Sequence, residues 1–152
     1  MVPDFERVYT VTDCYDGPRE GIADYRGVPH VFRSCALDAE SWDPDDPRFS
    51  LCPISDDALS LALEDWSIWL RWEEAFHAGA VDKSTHPALP SDRARHEELA
   101  TLLPEVLPTP HSGAVVMAGE FRARQPTPNT PIGVMYPLEV CWSSVESNSL
   151  AI

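Results

Sequence analysis

Glu73, Glu74 and His77 place two carboxylates and an imidazole within one helical turn. Glu-x-x-His is the spacing by which helical bundles hold pairs of metal ions. At helical spacing Glu73 falls among Trp66, Trp69 and Leu70, where a carboxylate needs a partner. His96 shares a face with Leu99, Leu102 and Leu103 on a second predicted helix, about as far from the connection as His77 is on the first. A hairpin of the two helices would bring Glu73, His77 and His96 together as ligands for a divalent transition metal. His86 in the connection and Glu74 would be further donors. Bundle sites repeat the motif on a second helix, and here it occurs once. The simpler reading gives His77 to the dipole at a helix C-terminus and Glu73 to an ion pair with His77, Arg93 or Arg95.

A second group, Asp13-Cys14-Tyr15-Asp16-Gly17-Pro18-Arg19-Glu20, collects acids, a thiol, a phenol and a guanidinium in one loop between strands. Asp16-Gly17-Pro18 is turn chemistry, and the stretch lacks the alternating acids and closing Glu of a calcium loop. Cys14 has no neighbouring base in sequence that would make it a nucleophile. His30 alternates with Val28 and Phe32, the place of a bonded core histidine. The chain has no G-x-S-x-G, no phosphate-binding glycine loop and no dinucleotide fingerprint, so nucleotide-dependent and serine-hydrolase chemistry lack support.

Charge excludes more. The 152 residues carry 25 acidic and 11 basic side chains, a net of −14, so the cationic field that attracts nucleic acid or anionic lipid is missing. The first 74 residues hold 17 acids and 6 bases, and the remaining chain holds 8 and 5. Asp38, Glu40, Asp43, Asp45 and Asp46 crowd one loop with Trp42 among them, and Pro44 and Pro47 limit its shape. Such a loop either is solvated or docks on a basic protein surface, with the acids steering and the tryptophan anchoring. Trp42, Asp43, Asp45 and Asp46 are the candidate partner-binding residues.

The elements that must position these groups follow from proline and period. Fifteen prolines are present, yet none lies between Ile54 and His86. That stretch reads as a helix over Asp56 to Ala78, capped by Ser55 and stopped at Gly79. A second helix is predicted with Ser91 as its cap, ended by Pro104. Strands are predicted over Phe5 to Thr12, Ile22 to Tyr25, Val28 to Arg33 and Arg48 to Cys52, then from Val115 to Arg124 and from Leu138 to Trp142. Arg26-Gly27 joins the second strand to the third. Strands, two helices and strands again predict an α+β domain over 1–142, a single antiparallel sheet or open barrel packed against a two-helix hairpin. A loose tail over 143–152 follows.

Val8-Tyr9-Thr10-Val11-Thr12-Asp13, Gly21-Ile22-Ala23-Asp24-Tyr25, Ala62-Leu63-Glu64-Asp65-Trp66-Ser67-Ile68-Trp69 and Thr85-His86-Pro87-Ala88-Leu89-Pro90 resemble stretches of a group of small, uncharacterised bacterial proteins. The likeness spans roughly residues 5 to 103 and implies a bacterial, cytoplasmic chain without implying an activity. Four scattered cysteines without a C-x-x-C pair, and a start lacking a secretory signal, point to the same compartment. The expected function is a non-catalytic, acidic protein-binding domain in the cytoplasm, with no cofactor, no nucleic acid and no membrane. The alternative is a small metal-binding protein or metal-assisted enzyme using Glu73, His77 and His96.

Overall fold

At Arg26-Gly27 both residues have positive φ, 54° and 76°, the combination a two-residue hairpin turn requires. The carboxylate of Glu6 accepts both turn amides, at 3.1 Å from Arg26 and 2.8 Å from Gly27, and the Arg26 guanidinium lies over the Tyr25 ring. The structure, a computed structural model, describes residues 4–14, 17–38, 45–108, 114–123 and 138–145. The chain divides into a strand unit and a helical unit, the latter containing Ser55–Leu107. No helix among the described residues is long and apolar enough to cross a membrane.

In the strand unit, β1 (Glu6–Cys14), β2 (Pro18–Tyr25), β3 (Val28–Ser34), β4 (Arg48–Pro53), β5 (Val115–Ala123) and β6 (Leu138–Ser143) pair antiparallel in chain order. The predicted open sheet or open barrel is corrected by the seam between first and last strands. Glu6 faces Val140 and Arg7 faces Glu139, which closes the barrel. Strand curvature explains the closure, and alternation of residue type carries no sign of it. β1 shifts register between Val8 and Thr10 and again from Val11 to Cys14, and such irregularities bend and twist a strand. Thr10 Oγ1 accepts the Ile22 amide at 3.1 Å beside the first shift.

The barrel is filled by side chains. Val8, Ala23, Phe32, Phe49, Leu51 and Val140 form its buried core, with Phe121 and Trp142 packed against them. The rings meet mostly edge to face, Phe49 with Phe121 at 5.4 Å and Phe121 with Trp142 at 5.9 Å. Gly21 and Gly119 make room for them. A Cβ on Gly21 would lie 2.1 Å from the Thr10 carbonyl oxygen, and one on Gly119 would lie 2.6 Å from the Trp142 ring.

The helical unit holds α1 (Asp56–His77) and α2 (Arg93–Val106). Ser55 caps α1 by accepting the Ala58 amide at 3.1 Å, and Gly79, at φ 77°, follows its end. Ile68, Ala88 and Leu99 are the buried centre of the hairpin, with Leu61 and Leu103 packed against them. Two predictions for α2 are corrected. Pro90–Asp92 is a 3-10 turn, so α2 starts at Arg93 without a side-chain cap from Ser91. Pro104 does not end the helix. It forfeits only its own bond to the Ala100 carbonyl, and the Leu107 amide still closes the last turn on the Leu103 carbonyl at 2.9 Å.

Candidate functional site

Glu73 and His77 stand one turn apart on α1, and the imidazole Nε2 lies 2.8 Å from the Glu73 carboxylate. Glu74 is exposed beside them. His96 is elsewhere. Its Nδ1 lies 2.7 Å from Asp65, eight residues before Glu73 and so about 12 Å back along the helix axis. His86 packs edge-on against Trp72, with ring centroids 4.7 Å apart. The hairpin therefore joins Glu73 to His77 and leaves His96 apart from them. Among the described residues no three His, Cys, Asp or Glu side chains converge as a metal would require.

The connection between the helices sets this register. It does not loop away from the end of α1 but folds back along it. Trp72 Nε1 donates to Thr85 Oγ1 at 2.8 Å, and Arg93 donates to the carbonyls of Thr85 and Ala88. Consequently α2 begins beside Arg71, whose guanidinium binds Asp92 twice, at 2.9 and 3.0 Å. Arg95 then meets Glu64 at 2.6 and 2.7 Å, and His96 meets Asp65. The Asp92 and Glu64 carboxyls are held below their usual pKa by these guanidinium bonds. Sequence reasoning missed Asp65 and Glu64 as partners. A signal was available in Asp65, Ile68 and Trp72, which share a stripe at i, i+3 and i+7; the first two meet α2 and the third meets the connection.

Both imidazoles are oriented by a carboxylate, yet a hydrolytic triad also needs a nucleophile bonded to the ring. Among the described residues the polar partners of His77 and His96 are Glu73 and Asp65 alone. The Ser67 hydroxyl donates to the Glu64 carbonyl instead.

At one end of the barrel, Arg19 of β2 is only 3% exposed. Nearby, the Asp46 side chain is 9% exposed and is bound by Arg48 through Nε at 2.9 Å, Nη2 at 2.7 Å and the backbone amide at 3.0 Å. The bond from Arg48 holds the Asp46 carboxyl below the usual range, with burial opposing it and the charge of Arg19 helping. Asp46 thus forms part of a local ion-pair group, while Asp45 next to it is exposed. Trp42 and Asp43 lie outside the described residues. Asp13 and Cys14 are exposed at the end of β1, and Glu20 pairs with Arg33 at 2.9 Å. His30 is buried and bonds the Val28 carbonyl through Nδ1 at 2.7 Å, with its ring edge-on to Tyr25.

Every described arginine is engaged within the chain. Arg33, Arg48, Arg71, Arg95 and Arg122 hold carboxylates, and Arg93 holds backbone carbonyls. Arg7 and Arg26 lie over tyrosine rings, and Arg19 also has an interaction. Asp13, Asp56, Asp57, Glu74, Glu97, Glu98, Glu105 and Glu120 remain at the exposed surface. Comparison with protein-family models, with curated proteins and with solved structures finds no match to this chain.

Proposed function

We propose that the chain is a non-catalytic, acidic binding domain whose partner is a protein with a basic surface. The observation that carries this reading is the use of the arginines. Carboxylates neutralise five of the described guanidiniums, and exposed acids outnumber the cations left uncompensated, so the surface field is negative overall, and a field of one sign accelerates association with the opposite sign. Thiols outside any disulfide at Cys14, Cys52 and Cys141 suit a reducing compartment, so the reading includes the bacterial cytoplasm. The Glu73–His77 pair supplies two donors, fewer than the three protein ligands of catalytic zinc sites, and gives less support to metal-dependent chemistry.

The test is affinity capture from a bacterial lysate on the immobilised full chain, at about 50 mM and about 300 mM salt. A variant with Asp13→Asn, Glu74→Gln, Glu97→Gln and Glu120→Gln serves as the control. Retained proteins should be basic, should be lost at the higher salt, and should bind the variant less. Retention of proteins no more basic than the lysate as a whole, unaffected by the four substitutions, overturns the reading.

A further inference from the structure

Exposed apolar side chains on α2 are out of place for a helix whose buried side is already complete. Leu99 is fully buried and Leu103 packs beside it, whereas Leu102 is 37% and Val106 is 41% exposed. At 100° per residue, Glu98, Leu102, Glu105 and Val106 fall within about 100° of one another. They form a continuous strip along one side of the helix, an apolar pair bordered by two exposed glutamates.

Two further observations give the strip a sign. The last turn of α2 contains Glu105 and no basic residue. A helix C-terminus carries partial negative charge on its unpaired carbonyls, so the last turn of this helix supplies no cation of its own to meet that charge. The antiparallel register that joins Asp65 to His96 and packs Leu61 near Leu99 carries the first turn of α1 to the last turn of α2. That first turn holds Asp56 and Asp57, both exposed. Among the residues of α2, the cation on the strip's own side, Arg95, is already bonded to Glu64 and lies 3.7 Å from Glu98.

We infer that the Leu102–Val106 strip is the docking site for an amphipathic, lysine- or arginine-bearing helix of a partner protein. Its apolar side chains would cover Leu102 and Val106, and its cations would meet Glu98, Glu105 and the carbonyl end of α2. The inference rests on the acidic-binding reading above and adds a place and an occupant to it. Helix-in-groove recognition needs such a pairing of apolar anchors with complementary charge.

Titration of the full, isotope-labelled chain at about 50 mM salt tests it, using three synthetic peptides of about 14 residues. One is an amphipathic leucine/lysine helix, the second has the leucines replaced by serine, and the third has the lysines replaced by glutamate. The leucine/lysine peptide should shift amide resonances over 98–107 and 56–61, and the other two should bind about tenfold more weakly or less. Leu102→Ser with Val106→Ser should weaken the first peptide about tenfold at unchanged melting temperature, and Glu98→Gln with Glu105→Gln should weaken it about threefold and flatten its salt dependence. Binding of the leucine/lysine peptide elsewhere, insensitive to Leu102 and Val106, overturns this site and leaves the acidic-binding reading standing. No binding of either lysine peptide overturns both. Equal binding of the glutamate peptide, or a homodimer in sedimentation that Leu102→Ser with Val106→Ser dissociates, overturns the basic occupant.

Discussion

Gly21 shows how one residue constrains the barrel. A Cβ there meets the Thr10 carbonyl at 2.1 Å and the Phe32 ring at 2.9 Å, and neither neighbour is the free end of a flexible side chain. Gly21→Ala should therefore cost at least the usual 1–3 kcal/mol of overpacking, about 2 or more, measured by urea denaturation. A cost within about 0.5 kcal/mol would mean that β1 and β2 are not this close. Asp46 acts through charge. Its folded pKa is lowered, mainly by the bond from Arg48, so its contribution is fully present above the unfolded value near 4 and is lost as pH falls through the folded one. Asp46→Asn should cost about 1 kcal/mol at neutral pH, a modest figure because Arg48 is half exposed and screened. The difference from the parent chain should shrink below about pH 4. A difference that persists unchanged at pH 3 would contradict the ion pair.

At the scale of elements, the hairpin depends on its connection as much as on its core. Trp72→Phe keeps an aromatic ring between Phe76 and His86 and removes the bond to Thr85 Oγ1, so it should destabilise by about 1 kcal/mol. Leu99→Ala, at a fully buried position, should cost about 2–5 kcal/mol by thermal or urea unfolding. The reverse order of these two costs would show that the fold-back, and not the Ile68–Ala88–Leu99 contact, dominates. What the sequence made legible here were local signals. The Ser55 cap, the Gly79 stop and the Arg26-Gly27 turn each depend on a few adjacent residues, and all six strands are recognisable by composition and alternation. Features that depend on distant pairing were not legible. Closure through Glu6↔Val140 joins residues at opposite ends of the chain, and the register shifts in β1 have no residue signature of their own. The metal reading of Glu73, His77 and His96 assumed a connection that leaves the helix ends free. Folding of the connection onto Trp72 moved the partner of His96 to Asp65. Asp46 read as one acid among several in a loop, and only the placement of Arg48 and Arg19 identified it as locally paired.

For the whole molecule, two electrostatic effects of opposite sign compete, and their range decides between them. Ion pairs such as Arg95–Glu64 and Arg71–Asp92 hold their atoms within 3 Å, and exposed pairs of this kind contribute little each. Repulsion among the carboxylates behind the net charge of −14 acts over much longer distances. Salt shortens the screening length from about 30 Å at 10 mM to about 8 Å at 150 mM, which removes most long-range repulsion and leaves bonded pairs largely intact. The melting temperature should therefore rise by several degrees over that range, about 2–4 °C per kcal/mol recovered for a chain of this size. Scanning calorimetry at fixed pH in sodium chloride is the measurement, and a fall over the same range would mean that the arginine pairs outweigh the repulsion. The same screening should weaken association with a basic partner, so stability and binding should move in opposite directions with salt. A chain stabilised by salt whose binding is also strengthened by salt would be docking through apolar contact alone, and the acids around Leu102 and Val106 would then have no part in recognition.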